Sequence, residues 1–450
     1  MTSFDELGVM LAAVARRLPD EVERLSLAGS RIDSSDERLL AIRLATDELP
    51  VIDGVRLRAG RPRLTADEVA QLLDELLAHL FGLAGLQRYV DDPNVESIDA
   101  NGFENVFVQY ADGRIVAVGP VARSETDFID VIKAAARRLG LGERRWDTTE
   151  PILYLQLPDG SRLTAVLGGR SERGVAPVPI VSIRRHRYTT LSLNDLVSMG
   201  AMPPTAASFL RAAVLARRTI LVSGGTNTGK TTLLRALCAE IPPHERLVTV
   251  ERDLLELGLH HSRTHANVVP LYSRQANVEG EGEITVAQLV QATLRLNPSR
   301  VIVGEVLGEE VVPMLNAMSQ GNDGSMCTIH ADSSESTFSR LATYAVQARE
   351  RLSAAASAAL VAGAVHFVVF VDADRHADQP MRRYVASIRE VTGLADGERV
   401  SSSAVFSLDG NRQLQPASAL SPRHRELLGR FGYSPADHRP SLPSPIWAAS

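Results

Sequence analysis

The segment Gly224-Gly225-Thr226-Asn227-Thr228-Gly229-Lys230-Thr231, with Thr232 behind it, sets glycines, one lysine and a run of hydroxyls side by side. This spacing fits the Walker A pattern in full. Its chemistry is phosphate binding: glycines let successive backbone N–H groups converge on phosphate oxygens, and the helix that follows aims its positive end at them. Lys230 is placed to reach the β and γ phosphates, and the Thr231 hydroxyl to hold Mg²⁺. An apolar strand before the loop and a leucine-rich helix after it, Thr231 to Ala239, give the pattern its required context.

Hydrolysis also needs a carboxylate near the metal and the attacking water. Arg300-Val301-Ile302-Val303-Gly304-Glu305 reads as a buried strand ending in an acid, a Walker B arrangement in which Glu305 alone supplies the charge. A second strand, Leu247 to Val250, ends at Glu251, followed by Arg252 and Asp253. Carboxylates at the carboxyl ends of neighbouring parallel strands face one crevice, so Glu251, and less directly Asp253, are candidates for metal or water positioning. His330 ends a further strand, Cys327-Thr328-Ile329, after the Gly321 to Gly324 loop. A lone histidine is either a structural hydrogen-bonder or, at a strand end, a nucleotide sensor. Cys238 and Cys327 match no zinc or disulfide spacing and read as buried packing.

The elements that carry these residues are helices alternating with short buried strands from Thr205 onward: Thr219 to Ser223, Leu247 to Val250, Arg300 to Gly304, Cys327 to Ile329 and Val365 to Val371. That alternation predicts a parallel sheet covered by helices over 201–434. Upstream, residues 1–86 read as helical. Thr65 to Glu68 has capping-box spacing, and Leu72, Leu76 and Leu80 share one face with Val69, Leu73 and Leu77. The stripe reads as a helix packed on the next domain, with a partner-docking helix as the alternative. Residues 87–188 carry short alternating strands broken by Asn101-Gly102, Asp112-Gly113 and Pro158-Asp159-Gly160, around a helix near Ile129 to Leu139. This predicts a small α+β domain. A linker at 189–200 and a proline-bearing disordered tail at 435–450 complete the expected organisation.

Over the 450 residues, 44% hydrophobic and 23% charged side chains are ordinary for a soluble globular protein. The net charge of −6 shows no global basic footprint of a nucleic-acid binder. No apolar run approaches the roughly 20 residues that span a bilayer. The Gly8 to Ala15 run is short and follows acidic residues, unlike a signal peptide. Together with the scarce cysteines, these features predict a cytoplasmic protein.

The four stations in this order resemble the secretion ATPases of type II and type IV secretion systems, where they are called Walker A, Asp box, Walker B and His box. The likeness is nearest to CpaF-like ATPases of tight-adherence (Tad/Flp) pili. It is carried by LSLNDLVSMGAM, FLRAAVLARRTILVSGGTNTGKTTLL, ERLVTVE, NVEGEGEITVAQLVQATLRLNPSRVIVGEV and NAMSQGNDGSMCTIHA, and upstream by DDPNVESIDANG and LPDGSRLTAV. The resemblance implies an α/β, RecA-like ATPase domain preceded by a small α+β domain and an N-terminal helical segment. It implies ATP and Mg²⁺ as cofactors, a homo-hexamer, an inner-membrane platform protein as partner, and a place at the inner face of the cell membrane. Arg162 and Arg184 match arginines that family members place near the nucleotide phosphates, a role that suits a planar guanidinium. The chain departs from the pattern at Arg252-Asp253 in the Asp box, at Leu307 where arginine is usual, and at Asp332 where asparagine is common. Two other functions stay open at this point: a RecA-type nucleic-acid translocase, and a nucleotide-gated scaffold with little turnover.

Overall fold

The structure is a computed structural model that describes residues 4–28, 31–139, 146–169, 174–185, 191–252, 254–261, 264–276, 280–374, 381–396 and 398–434. Asp253 and the expected tail at 435–450 lie outside the described residues. The chain divides into two compact units, Met1–Arg185 and His186–Ser450.

The first unit opens with helices α1 (Phe4–Leu27), α2 (Ser34–Arg58) and α3 (Ala66–Phe81). Asp33 caps α2, and Thr65 caps α3 with Glu68 reaching back, as the spacing predicts. Leu72 and Leu76 are fully buried, in one cluster with Met10 and Val14 of α1 and Leu44 of α2. The stripe on α3 therefore serves chiefly a helical bundle of its own. Contacts with the neighbouring domain include Arg138, which donates to the Gly82 carbonyl at 2.7 Å, and His79 of α3, whose Nε2 lies 3.4 Å from Asp127 Oδ1. A short α4 (Gln87–Asp91) leads into β1 (Val95–Asn101), β2 (Val106–Tyr110), β3 (Ile115–Val118), α5 (Glu125–Arg138), β4 (Ile152–Gln156), β5 (Arg162–Val166) and β6 (Ile180–Arg184). The strands form an antiparallel sheet in the order β3-β2-β1-β6-β5-β4. Leu163 and Ala165 of β5 and Val181 and Ile183 of β6 face the core with Phe128 and Ile132 of α5. The alternate residues, Arg162 and Arg184 among them, take the other face.

The second unit begins with α6 (Leu193–Ser198), capped by Ser192 and held by buried Leu193 and Leu196, within the stretch expected as a linker. Then follow α7 (Pro204–Leu215), β7 (Ile220–Gly224), α8 (Lys230–Ala239), β8 (Leu247–Glu251), β9 (Val268–Tyr272), α9 (Val286–Thr293), β10 (Arg300–Val306), α10 (Val311–Ser319) and β11 (Met326–His330). After these come α11 (Ser336–Gln347), α12 (Ala354–Ala364), β12 (Phe367–Asp374), β13 (Arg382–Ala395), β14 (Arg399–Leu408), β15 (Leu414–Pro416) and α13 (Pro422–Gly429). One sheet runs β15-β14-β13-β12-β7-β11-β10-β8-β9. It is parallel from β12 to β9, as expected, but β13, β14 and β15 continue it antiparallel, so the sheet is mixed.

Both faces of the parallel part are covered. Ile220 and Val222 enter one core with α7 and α8, whereas Leu221 enters the other with α10 and α12. That two-sided burial explains the near-continuous apolar runs in these strands. At the amino ends of the strands, fully buried Arg300 pairs with Glu245 through two bonds, at 2.7 and 2.9 Å. Arg217 reaches the same carboxylate at 2.6 Å.

Candidate active site

The opposite, carboxyl ends of β7, β8, β10 and β11 carry the candidate chemistry. Every residue of β7 is buried, ending at Gly224. A Cβ there would sit 2.3 Å from the Val371 carbonyl oxygen, so only glycine fits beside β12. The loop then turns through Asn227 (φ 63°) and Gly229 (φ 95°) into α8, whose first turn has no side-chain cap. Uncapped N–H groups at a helix start are a ready anion site. Thr228 Oγ1 donates to the Gly225 carbonyl at 3.0 Å, and Lys230 Nζ to the same oxygen at 2.8 Å. Thr231 and Thr232 follow, half-buried.

His330 closes β11 directly beside Gly224, its register partner on β7. Lys230 Nζ lies 3.3 Å from His330 Nδ1, and His330 Nε2 lies 2.7 Å from Glu305 Oε1. The network fits one neutral tautomer, with Nε2–H donating to Glu305 and Nδ1 accepting from Lys230. Burial holds the His330 pKa below the usual histidine value, and the Lys230 charge adds to the effect. What brings Glu305 here is a bulge. Val303 pairs with Cys327 and Val306 with Ile329, so Gly304 and Glu305 together face Thr328. The extra residue re-aims the strand end. Thr328 Oγ1 donates to the Gly304 carbonyl at 2.6 Å and fixes it.

Glu251 ends β8 in a different neighbourhood. It is buried, its Oε2 accepts the Leu257 N–H at 2.7 Å, and its Oε1 has no hydrogen-bond partner. Burial, reinforced by the Glu256 charge, pushes its pKa up to about 8. Arg235 of α8 donates to the Leu257 carbonyl at 3.1 Å, so the Leu257 backbone is held from both sides. A Cβ on Gly304 would approach Glu251 Cγ to 3.1 Å, which explains glycine at that Walker B position.

Arg162 and Arg184 belong to the first unit, where they are direct cross-strand partners on β5 and β6. Both stand half-exposed on the sheet face turned away from the core.

Two contacts were not read from the sequence. Arg383 of β13 donates from Nε to the Asn227 carbonyl at 3.0 Å and from a terminal nitrogen to Asn227 Oδ1 at 3.2 Å. Arg252 lies 3.5 Å from buried Glu310, which also accepts the Leu307 N–H at 2.6 Å. The unusual Asp-box arginine thus ties the end of β8 to the loop after β10. Neither contact has a local motif, because each joins residues far apart in sequence.

The residues fit a nucleoside triphosphate with its metal. Loop N–H groups and Lys230 suit the phosphates, and Thr231 and Glu305 would supply oxygens to a metal. The unpartnered Oε1 of Glu251 is one more oxygen available to a metal or its water. Among the described residues, no group of three or more His, Cys, Asp or Glu side chains could cage an ion alone. Water or substrate oxygens would complete the shell of an ion held there.

The sequence profile of the family described as "Type II/IV secretion system protein" matches residues 82–382. The chain belongs to this family. A putative conjugal transfer protein, Rv3659c of Mycobacterium tuberculosis (strain H37Rv), is 37% identical over 323 residues, which cover 69% of this chain and 87% of that protein. The type IV secretion system protein VirB11 of Brucella suis is 30% identical over 292 residues, covering 60% of this chain and 78% of that one. Among solved structures, the VirB11 ATPase of Brucella suis in complex with sulphate aligns at 27% identity, over 70% of this chain and 95% of its own, with a TM-score of 0.35. The Legionella pneumophila ATPase DotB aligns at 19% identity, over 70% and 80%, with a TM-score of 0.48.

This secretion-family chain is an ATPase that uses a nucleotide. Its second unit has the RecA-like fold: along the sheet, β12-β7-β11-β10-β8 set the fifth, first, fourth, third and second strands of the core side by side. Among the described residues, no single helix is long and apolar enough to cross a membrane.

Proposed function

We propose that the protein is the ATP-hydrolysing motor of a Tad/Flp-like pilus-assembly or related secretion machine, acting as a homo-hexamer. Its place is the inner face of the cell membrane, in contact with an inner-membrane platform protein. The observation that carries the reading is the chain Lys230–His330–Glu305, which joins the phosphate loop to the Walker B acid across the ends of β7, β11 and β10.

The roles follow from that chain. Loop N–H groups from Gly225 to Lys230 cradle the phosphates, and Lys230 leaves the Gly225 carbonyl to meet them. Thr231 would hold Mg²⁺, with Glu251 as a further oxygen, and the ion would supply charge neutralisation on the phosphoryl oxygens. Glu305 orients the attacking water and accepts its proton. His330, hydrogen-bonded to both Lys230 and Glu305, senses whether Lys230 is engaged. Arg162 and Arg184 are candidates for phosphate contact on the family resemblance, and ATP hydrolysis is coupled to movement of a membrane partner. The Tad/Flp assignment is supported by the run from Asn277 to Val306, whose sequence resembles those ATPases.

ATPase rate per subunit against protein concentration, with size determined on the same samples, tests the ring. A steep rise as hexamers form is expected; equal activity in a stable monomer would remove it. In cells, Lys230→Ala is expected to abolish surface pili. Intact pili with lost DNA transfer would reassign the motor to conjugation.

A further inference from the structure

In a loop whose successive N–H groups converge on an anion, the carbonyls turn outward and need donors from elsewhere. The Gly225 carbonyl takes Lys230 Nζ and Thr228 Oγ1. Lys230 must leave it to reach a phosphate, whereas Thr228 can stay. The Asn227 carbonyl is served from outside the loop, by Arg383 Nε at 3.0 Å, while the same guanidinium donates to Asn227 Oδ1 at 3.2 Å. Asn227 is the non-glycine residue of this loop in the left-handed region, with φ of 63°. Such a conformation is disfavoured for residues with a Cβ and persists where neighbours hold it. The Arg383 stem also runs past Gly229, whose added Cβ would lie 3.5 Å from Arg383 Cδ.

The anchor is firm. Arg383 pairs with Ala373 of β12, and Val371 of that strand pairs with Gly224 at the start of the loop. Arg383 also lies just beyond residue 382, where the match to the family profile ends.

We propose that Arg383 is a positioning residue for nucleotide binding: its guanidinium clamps Asn227 in the left-handed conformation and keeps the cradle N–H groups aimed inward. The inference rests on the nucleotide reading of the loop. Its effect falls on affinity, because the clamp shapes the cradle and leaves Glu305 and its water alone. Lysine replaces the clamp only in part, since a single ammonium lacks the planar fork that serves both Asn227 oxygens.

The test uses the full chain and its Arg383→Ala and Arg383→Lys variants, with a ribose-labelled fluorescent ADP titrated for Kd and ATP hydrolysis measured for KM and kcat. Arg383→Ala is expected to raise Kd and KM about tenfold, the loss of one charge-assisted contact, with kcat within about twofold. Arg383→Lys is expected to fall between it and the wild type. In an Asn227→Gly background the same alanine change should cost less, because glycine holds positive φ unaided. Wild-type binding with unchanged affinity in Arg383→Ala would overturn the inference alone, as would a fall in kcat at constant Kd. Failure of the wild type to bind any nucleotide would overturn the ATPase reading and this inference with it. Should Arg383→Ala not fold, Arg383→Lys in the wild-type and Asn227→Gly backgrounds decides by the same Kd comparison.

Discussion

His330 Nε2 and Glu305 Oε1 stand 2.7 Å apart at the ends of neighbouring parallel strands, although 24 positions separate Thr328 from the Gly304 carbonyl that anchors them. The pairing depends on the bulge in β10. Without the extra residue, Glu305 would alternate to the other face of the strand. The catalytic assignment of Glu305 therefore rests on strand register as much as on side-chain type.

Glu305→Gln keeps the shape and the His330 hydrogen bond but removes the base. ATP binding is expected to persist within about threefold, while kcat falls by at least about 100-fold, the usual range for loss of a general base. Filter binding of ATP alongside phosphate release checks both halves, and near-normal turnover would contradict the assignment.

His330 sets an acid limb. Burial and Lys230 depress its pKa, so it is neutral at physiological pH and protonates only below the ordinary histidine value of about 6.5. Protonation places a second cation against Lys230 and ends acceptance at Nδ1. kcat is expected to stay level from neutral pH down to that value and to decline below it. The unfolded chain takes up this proton more readily, so stability at the site is also lost as pH falls. His330→Gln should lower activity and abolish the acid limb; a limb that survives the substitution would assign it elsewhere.

How much of this was legible beforehand varied with the kind of signal. Loop, helix start and strand ends of the site could be read because each is local: Gly224 to Thr231 spells a turn and helix N-terminus. The β13–β14 hairpin was missed despite Ala395-Asp396, where Asp396 turns at φ 51°. Its strands carry arginine and serine at many positions and so lack the apolar runs of the buried core. Pro270 hid β9, which tolerates proline because it lies at the sheet edge. Arg383 on Asn227 and Arg252 on Glu310 are tertiary contacts, and no spacing rule encodes them. The α3 stripe is expected to pack on the next domain, whereas its buried Leu72 and Leu76 pack with α1 and α2, because periodicity does not name the partner surface.

Glu251 carries a second pH signal of opposite sign. Its folded-state pKa stands near 8 against an ordinary 4.5, because burial disfavours the charge. The folded state binds this proton more tightly than the unfolded chain. Its contribution to stability is therefore full below about 4.5 and is lost as pH rises toward about 8. Glu251→Gln keeps an acceptor for Leu257 N–H and stays neutral. The variant's Tm should accordingly fall less than the wild type's between pH 5 and 9, with the larger advantage at the alkaline end. Parallel melting curves would count against a buried, proton-binding Glu251.

The two thiols offer a simple check on the core. Cys238 and Cys327 are fully buried, and burial raises both pKa values, to about 12 for Cys238. Thiolate is the reactive form, so native protein should resist alkylation at neutral pH and react once denatured. Rapid labelling of the native chain would show that these strands and helices open.

Arg300 and Glu245 separate stability from catalysis within one strand. Arg300 has no exposed surface, and its guanidinium is shared among Glu245, the Val214 carbonyl and the Gly324 carbonyl. Removing one partner leaves the other charge buried and unpaired, at a cost of about 3–5 kcal/mol. Glu305 lies five residues further along β10, roughly 16 Å away along the strand, so the ion pair does not touch the chemistry. Glu245→Gln is therefore expected to lower stability by several kcal/mol in a denaturant titration. In the fraction that remains folded, kcat and KM should stay within about twofold of wild type, since sites this far apart couple weakly. A kcat loss that tracks the stability loss after correction for folded protein would mean the amino ends of the strands communicate with Glu305, and the division of labour along β10 would fail.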